Sequence, residues 1–212
     1  MSTVYLSENA DESLKEYIID TGHVLMEVKK TADVYDGIAT HPDIYICKIC
    51  DQLITEEGDL GYNYPNNVKY NAACVGKYFI HNTNYTAPKL LEFAKQKGLT
   101  IVHVNQGYTK CNLAIVDDKS VITSDEGIAK TLESTTDIDV LLISNGNIKL
   151  KGFPYGFIGG TSGRVGDAMV FHGDLSEHPD YIEMSNFVFD RGFCLQYFDS
   201  FELEDIGSII EV

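Results

Sequence analysis

The strongest constraint on this chain is a unit of about 40 residues that recurs along it: strand, turn, strand, helix, strand. Residues 108–145 carry it most plainly. Cys111-Asn-Leu-Ala-Ile-Val reads as a first strand, Asp117-Asp118-Lys119 as a turn and Ser120-Val-Ile-Thr as a second strand. Ser124-Asp125 then opens a helix at Glu126, with a capping side chain and early acids at its positive end. Asp139-Val-Leu-Leu-Ile-Ser is a short apolar run that suits a buried third strand.

Residues 71–104 repeat the plan, with a helix expected over 85–97, Pro88 in its first turn and Gly98 as its stop. A copy starting at His41-Pro-Asp-Ile-Tyr-Ile has a loop through 58–65 where its helix should be. Another starts at Tyr155-Gly-Phe-Ile-Gly-Gly, turns through the glycine-rich residues 161–167, and continues with a helix over 178–190 and a strand from Phe193. Residues 4–28 supply a second strand, a helix over 11–20 and a third strand, and the first strand they lack is available at 205–212. Units this small cannot bury their own apolar faces, so they must stack. Two chain ends that complete one unit would close the stack into a ring. The expected architecture is therefore one α/β domain over residues 1–212, a five-fold pseudosymmetric α/β-propeller of ββαβ repeats with one blade completed by both termini. An ordinary open α/β sheet is the rival arrangement.

Charge narrows the partners. Lys and Arg total 16 against 32 Asp and Glu, a net charge of −16. That field repels nucleic-acid phosphate and anionic lipid and favours small cations, so neither nucleic acid nor membrane is expected as a partner. No apolar run approaches the roughly 20 residues that cross a bilayer. The opening residues lack a leader pattern, and the five cysteines follow no secreted framework, so a cytoplasmic setting with free thiols is expected. Oligomeric state is left open. Cys47 and Cys50 have C-x-x-C spacing without a second pair, although Cys74 and His81 would make up four ligands; an ordinary structural role is expected, and no metal. The glycines at 159–166 lack the Lys-Ser/Thr of a phosphate loop and suit a hairpin turn, so no cofactor is expected.

A ring of ββαβ units with both termini in one blade resembles the pentein superfamily, the guanidine-modifying-enzyme fold. Val34-Tyr-Asp-Gly-Ile-Ala-Thr-His-Pro-Asp43, Asn105-Gln-Gly-Tyr-Thr-Lys-Cys-Asn112 and Phe157-Ile-Gly-Gly-Thr-Ser-Gly163 are similar to recurring segments of a small bacterial branch of it. The resemblance implies a cysteine nucleophile, a histidine in an His-x-Asp segment, and carboxylates holding a guanidinium in a central channel. His41-Pro42-Asp43 matches that segment, and Cys111 stands at the matching place two repeats later. In the enzymes the cysteine follows a Gly-Gly run in the last repeat; here Gly159-Gly160 is followed by none.

If first strands begin at one end of a shared channel, His41, Asp43, Asn71, Lys110, Cys111, Asn112 and Asp205 gather on one rim. The ends of second strands bring His81 and His172 toward it. A thiolate within reach of a histidine is the minimum for covalent attack on an amidine carbon. Cys111 is thus the expected nucleophile and His41 the acid/base. Asp43, Asn112, His172 and Asp174 are the expected contacts to a small guanidino or amidino cation, the carboxylates as bidentate partners. Two functions stay open: a cysteine-dependent hydrolase or transferase of a guanidino compound, and a non-catalytic protein of the same fold that binds a small cation or a protein partner.

Overall fold

The computed structural model describes residues 2–212; Met1 lies outside them. Strand β1 (Thr3–Ser7), helix α1 (Glu12–Asp20) and strand β2 (Val24–Val28) begin the first blade, with β1 and β2 parallel. Asp11 caps α1 by accepting the Ser13 N–H, and Leu14 and Ile18 form its buried stripe. A one-turn helix α2 (Pro42–Tyr45) leads into the second blade, the antiparallel pair β3 (Ile46–Ile49) and β4 (Gln52–Thr55). The third blade is β5 (Ala73–Val75), β6 (Tyr78–His81), α3 (Pro88–Gln96) and β7 (Thr100–His103). Another one-turn helix, α4 (Thr109–Asn112), precedes the fourth: β8 (Ala114–Asp117), β9 (Ser120–Thr123), α5 (Glu126–Thr135) and β10 (Asp139–Leu142). A 3-10 turn (Ile158–Thr161) precedes the fifth: β11 (Ser162–Val165), β12 (Ala168–Phe171), α6 (Tyr181–Phe189) and β13 (Cys194–Gln196). Finally β14 (Ile210–Glu211) pairs antiparallel with β1 and completes the first blade.

Five separate sheets result, and each full blade is an antiparallel pair extended by a parallel third strand across a helix. The core divides accordingly into five apolar clusters, one at each junction. Ile38, Tyr45 and Ile210 join blades one and two, and Ile49, Phe79 and Leu90 join two and three. Ile80, Val121 and Leu132 join three and four, and Val116, Phe171 and Met184 join four and five. Leu6, Leu14 and Val170 join five to one. A cluster at every junction, including that between the last blade and the first, closes the ring.

Two features differ from the sequence reading. The second blade has the expected loop in place of a helix but also lacks a third strand; residues 56–72 run as irregular chain to β5. First strands also start later than expected. Cys111 and Asp43 sit in one-turn helices rather than strands, and the glycine-rich stretch read as a turn is strand β11, with only Gly166-Asp167 turning. Four-residue turns carry no readable periodicity, and beside a strand they pass as its beginning. Helices α3 and α6 are likewise shorter than the spans 85–97 and 178–190.

Candidate functional site

The turns before the first strands converge at the ring centre. Backbone bonds lace them together: Lys110 N–H to Asn71 O (3.0 Å), Asp43 N–H to Gly207 O (3.1 Å), and Ser208 N–H to Gly160 O (2.8 Å). Side chains have no room to spare there. A Cβ on Gly160 would overlap the Asp205 carboxylate, and one on Gly207, at φ +80°, would overlap the His41 side chain.

This packing brings His41 and Cys111 together with Asp205, their ligand atoms within 4.8 Å of one another. The Cys111 thiol donates to Asp43 Oδ2 at 3.0 Å and receives the Asn71 amide N–H at 3.1 Å. Asn71 Oδ1 also accepts the Cys111 backbone N–H at 3.1 Å, which fixes the turn that carries the thiol. Ser208 Oγ lies 2.6 Å from Asp43 Oδ2 and receives Lys110 Nζ at 3.0 Å. Asp205 accepts the Phe157 and Gly207 N–H groups, both at 3.0 Å. Two buried polar atoms of this cluster have no partner among the described residues: His41 Nδ1, which is 3.7 Å from Asp205 Oδ1, and Asp43 Oδ1.

Burial dominates the electrostatics. It lowers His41 to about 4, despite Asp43 nearby, so the imidazole is neutral at pH 7. It raises Asp205 to about 6 against two backbone N–H donors, and it raises Asp43 as well. Cys111 is pushed well above the ordinary thiol range by burial and then by both carboxylates, so it rests as the thiol. Burial lowers Lys110, while Asp43, Cys111 and Asp205 act to keep it charged. His41, Cys111 and Asp205 are enough donors for a metal in number. A pocket of about 880 Å³ opens from solvent onto His41 and Asp205, walled by Tyr35, Tyr62 and Phe153, while Cys111 and Asp43 are buried and do not line it.

Residues 50–210 match a family described as a family of unknown function (DUF6873). The chain belongs to that family. No curated protein matches the sequence. Among solved structures, dimethylarginine dimethylaminohydrolase as its adduct with 4-chloro-2-hydroxymethylpyridine is similar at a TM-score of 0.56 and 11% identity, over 94% of this chain and 93% of that one. A cysteine-to-serine mutant of DDAH from Pseudomonas aeruginosa, complexed with citrulline, is similar at a TM-score of 0.55 and 10% identity, over 94% and 92%. This DUF6873 member therefore has the pentein fold of guanidine-modifying enzymes.

The other expected site residues lie elsewhere in the DUF6873 chain. Asn112 is buried, and its amide N–H donates to Tyr108 O at 2.8 Å, bracing α4 from within. His172 is engaged on both ring nitrogens: Nε2 accepts the Asp11 N–H at 3.0 Å and Nδ1 donates to Glu204 O at 3.1 Å. Asp174 caps a 3-10 turn (Leu175–Glu177) by accepting the Ser176 N–H, and it lines a different pocket, of about 740 Å³. The separation has a local cause. After β12 the chain bends at Gly173, φ +112°, and lies along residues 201–204. His81 is held by Thr86 Oγ1 and Gly107 O. Cys47 donates to Ala72 O inside the core while Cys50 is exposed in the following turn, so the C-x-x-C thiols diverge.

The sequence placed Asp205 and Asn71 on the rim without a role, and Ser208 went unmarked. One signal was available for the first: Asp205 stands five positions before β14 (210 − 205), as His41 stands five before β3 (46 − 41).

Proposed function

We propose that this protein is a cysteine-dependent enzyme acting on a guanidino or amidino compound, with residues 1–212 working as one domain. Cys111 is the nucleophile, His41 the acid/base, and Asp43 and Asp205 the anchors of the substrate cation. The observation that carries this reading is the pair of unpartnered buried acceptors, His41 Nδ1 and Asp43 Oδ1, beside a cysteine and a second carboxylate. A planar guanidinium offers five N–H donors to these open acceptors, and a positive charge beside two carboxylates that share one lysine. The fold shared with dimethylarginine dimethylaminohydrolase supports the same substrate class.

The chemistry follows from the charge states. An arriving cation offsets the two carboxylates that hold the thiol protonated, so ionisation of Cys111 becomes easier as substrate binds. The thiol proton passes to neutral His41 while sulfur attacks the amidine carbon. The carbon–nitrogen bond then breaks, the leaving amine takes the proton from His41, and a thiouronium remains on Cys111. In the hydrolytic case water adds to that carbon as His41 takes its proton; in the returning step His41 protonates sulfur and the urea leaves.

The test is labelling by a haloacetamidine, read by mass spectrometry over all five cysteines. Selective labelling at Cys111, lost in His41→Ala, is expected. Equal labelling of all five thiols, or none at Cys111, removes the enzymatic reading.

A further inference from the structure

Lys110 is a feature the chemistry above leaves unused. It precedes the cysteine in α4, is half-buried, and reaches Ser208 Oγ, which reaches Asp43 Oδ2, which in turn accepts the Cys111 thiol. Ammonium, hydroxyl, carboxylate and thiol thus form one continuous chain, with successive separations of 3.0, 2.6 and 3.0 Å. Ser208 is built into it at a cost. Its backbone has φ +73°, a left-handed conformation that disfavours any residue with a Cβ. Glycine would take that backbone freely, so the hydroxyl is what the position retains.

We propose that Lys110, held by Ser208, is a positioning residue that acts as the internal counter-ion of the Asp43/Asp205 pair and thereby governs ionisation of the Cys111 thiol. Without it the thiol would lose its proton beside two buried carboxylates and no cation; with it the first proton lost leaves a thiolate near an ammonium. The groups facing this lysine are Asp43, Asp205, Cys111 and Cys47. Cys111 also faces Tyr35 and Tyr108, His41 lies beside Asp43 and Asp205, and Glu204 stands near Asp205. None of these other neighbours carries a positive charge at neutral pH, since His41 is neutral.

The proposal rests on Cys111 as the reactive group but not on any substrate. Its test is the pH profile of Cys111 alkylation by iodoacetamide, measured per cysteine by mass spectrometry from about pH 6 to 11. Lys110→Met moves the Cys111 midpoint up by at least about one unit, a tenfold lower rate at fixed pH below it. Adding Asp43→Asn removes one charge of each sign and returns most of the shift. An unchanged profile in Lys110→Met overturns the proposal, because a lysine that only fills space would lower stability and leave the profile in place. Should Lys110→Met not fold, Lys110→Met/Asp43→Asn decides alone. Recovery of folding with a midpoint near wild type supports the counter-ion role; no recovery, or a midpoint still a unit or more higher, refutes it. Haloacetamidine labelling can fail while this shift is found, and the reverse, so the two readings fall separately.

Discussion

Gly160 is the residue whose change should be felt most directly at the ring centre. In Gly160→Ala the new methyl overlaps the Asp205 carboxylate, which must move. Moving it breaks its bonds from the Phe157 and Gly207 N–H groups, each 3.0 Å in the native arrangement. Hydrogen bonds to a charged group are worth about 1.5–3 kcal/mol each, and overpacking adds about 1–3. A loss of about 4 kcal/mol or more is expected, a large share of the roughly 5–15 that holds a domain folded. Urea unfolding of a double-mutant cycle isolates the cause. Asp205→Ala alone should cost about 2–4 kcal/mol for the unpaired donors, and in that background Gly160→Ala should cost less than about 1. If Gly160→Ala costs the same with and without the Asp205 carboxylate, the collision is not the source of the loss and the account of this packing is wrong.

Stability against pH gives a second check. Folding depresses His41 and His81 to about 4, so above roughly pH 4 and up to their unfolded value near 6.5 the unfolded chain holds protons that the native one does not. Their contribution is therefore present above that range and lost on acidification through it. Asp205, raised to about 6, has the opposite sign between its unfolded value and 6, being protonated first in the native state. Asp205→Asn should accordingly steepen the loss of stability between about pH 6 and 4 by roughly 1.4 kcal/mol per pH unit, read from urea midpoints; a shallower profile contradicts the assignment. Cys50 sits at φ +57° in the β3–β4 turn, where the matching turns of blades three and five carry Gly76 and Gly166. Cys50→Gly should raise stability by about 0.5–1 kcal/mol in thermal unfolding, and a loss would show that the thiol contributes more than its backbone strain costs. His172→Phe, which leaves the Asp11 N–H and Glu204 carbonyl without their partner, should cost about 2–3 kcal/mol yet leave haloacetamidine labelling of Cys111 unchanged; altered labelling would return His172 to the site.

Much of the ring was legible because each unit carries its own punctuation. Asp11 and Asp125 announce their helices by capping them, Gly98 ends a third, and the complementary ends at 4–28 and 205–212 call for one another. The start of each first strand was not legible, since α2 and α4 are single turns whose only signature is the crowding of a ring centre that sequence does not display. For the same reason His41, Asp43 and Cys111 could be named from a motif, while Ser208, which bonds Asp43 across 165 positions, could not. That both His172 ring nitrogens are taken, by the Asp11 N–H and the Glu204 carbonyl, was equally hidden, since those partners lie 161 and 32 positions away.

The antiparallel pairing of β14 with β1 has a practical consequence. Thr3 and Val212 exchange two backbone bonds of 2.8 Å, so the chain's two extremities are neighbours. A gene rewired to join them through a short hairpin, and opened instead at the exposed Asn145-Gly146 bend, should yield the same ring of blades from a new starting point. The same cut made without the hairpin would divide the cluster, leaving His41 and Cys111 on one fragment and Asp205 on the other.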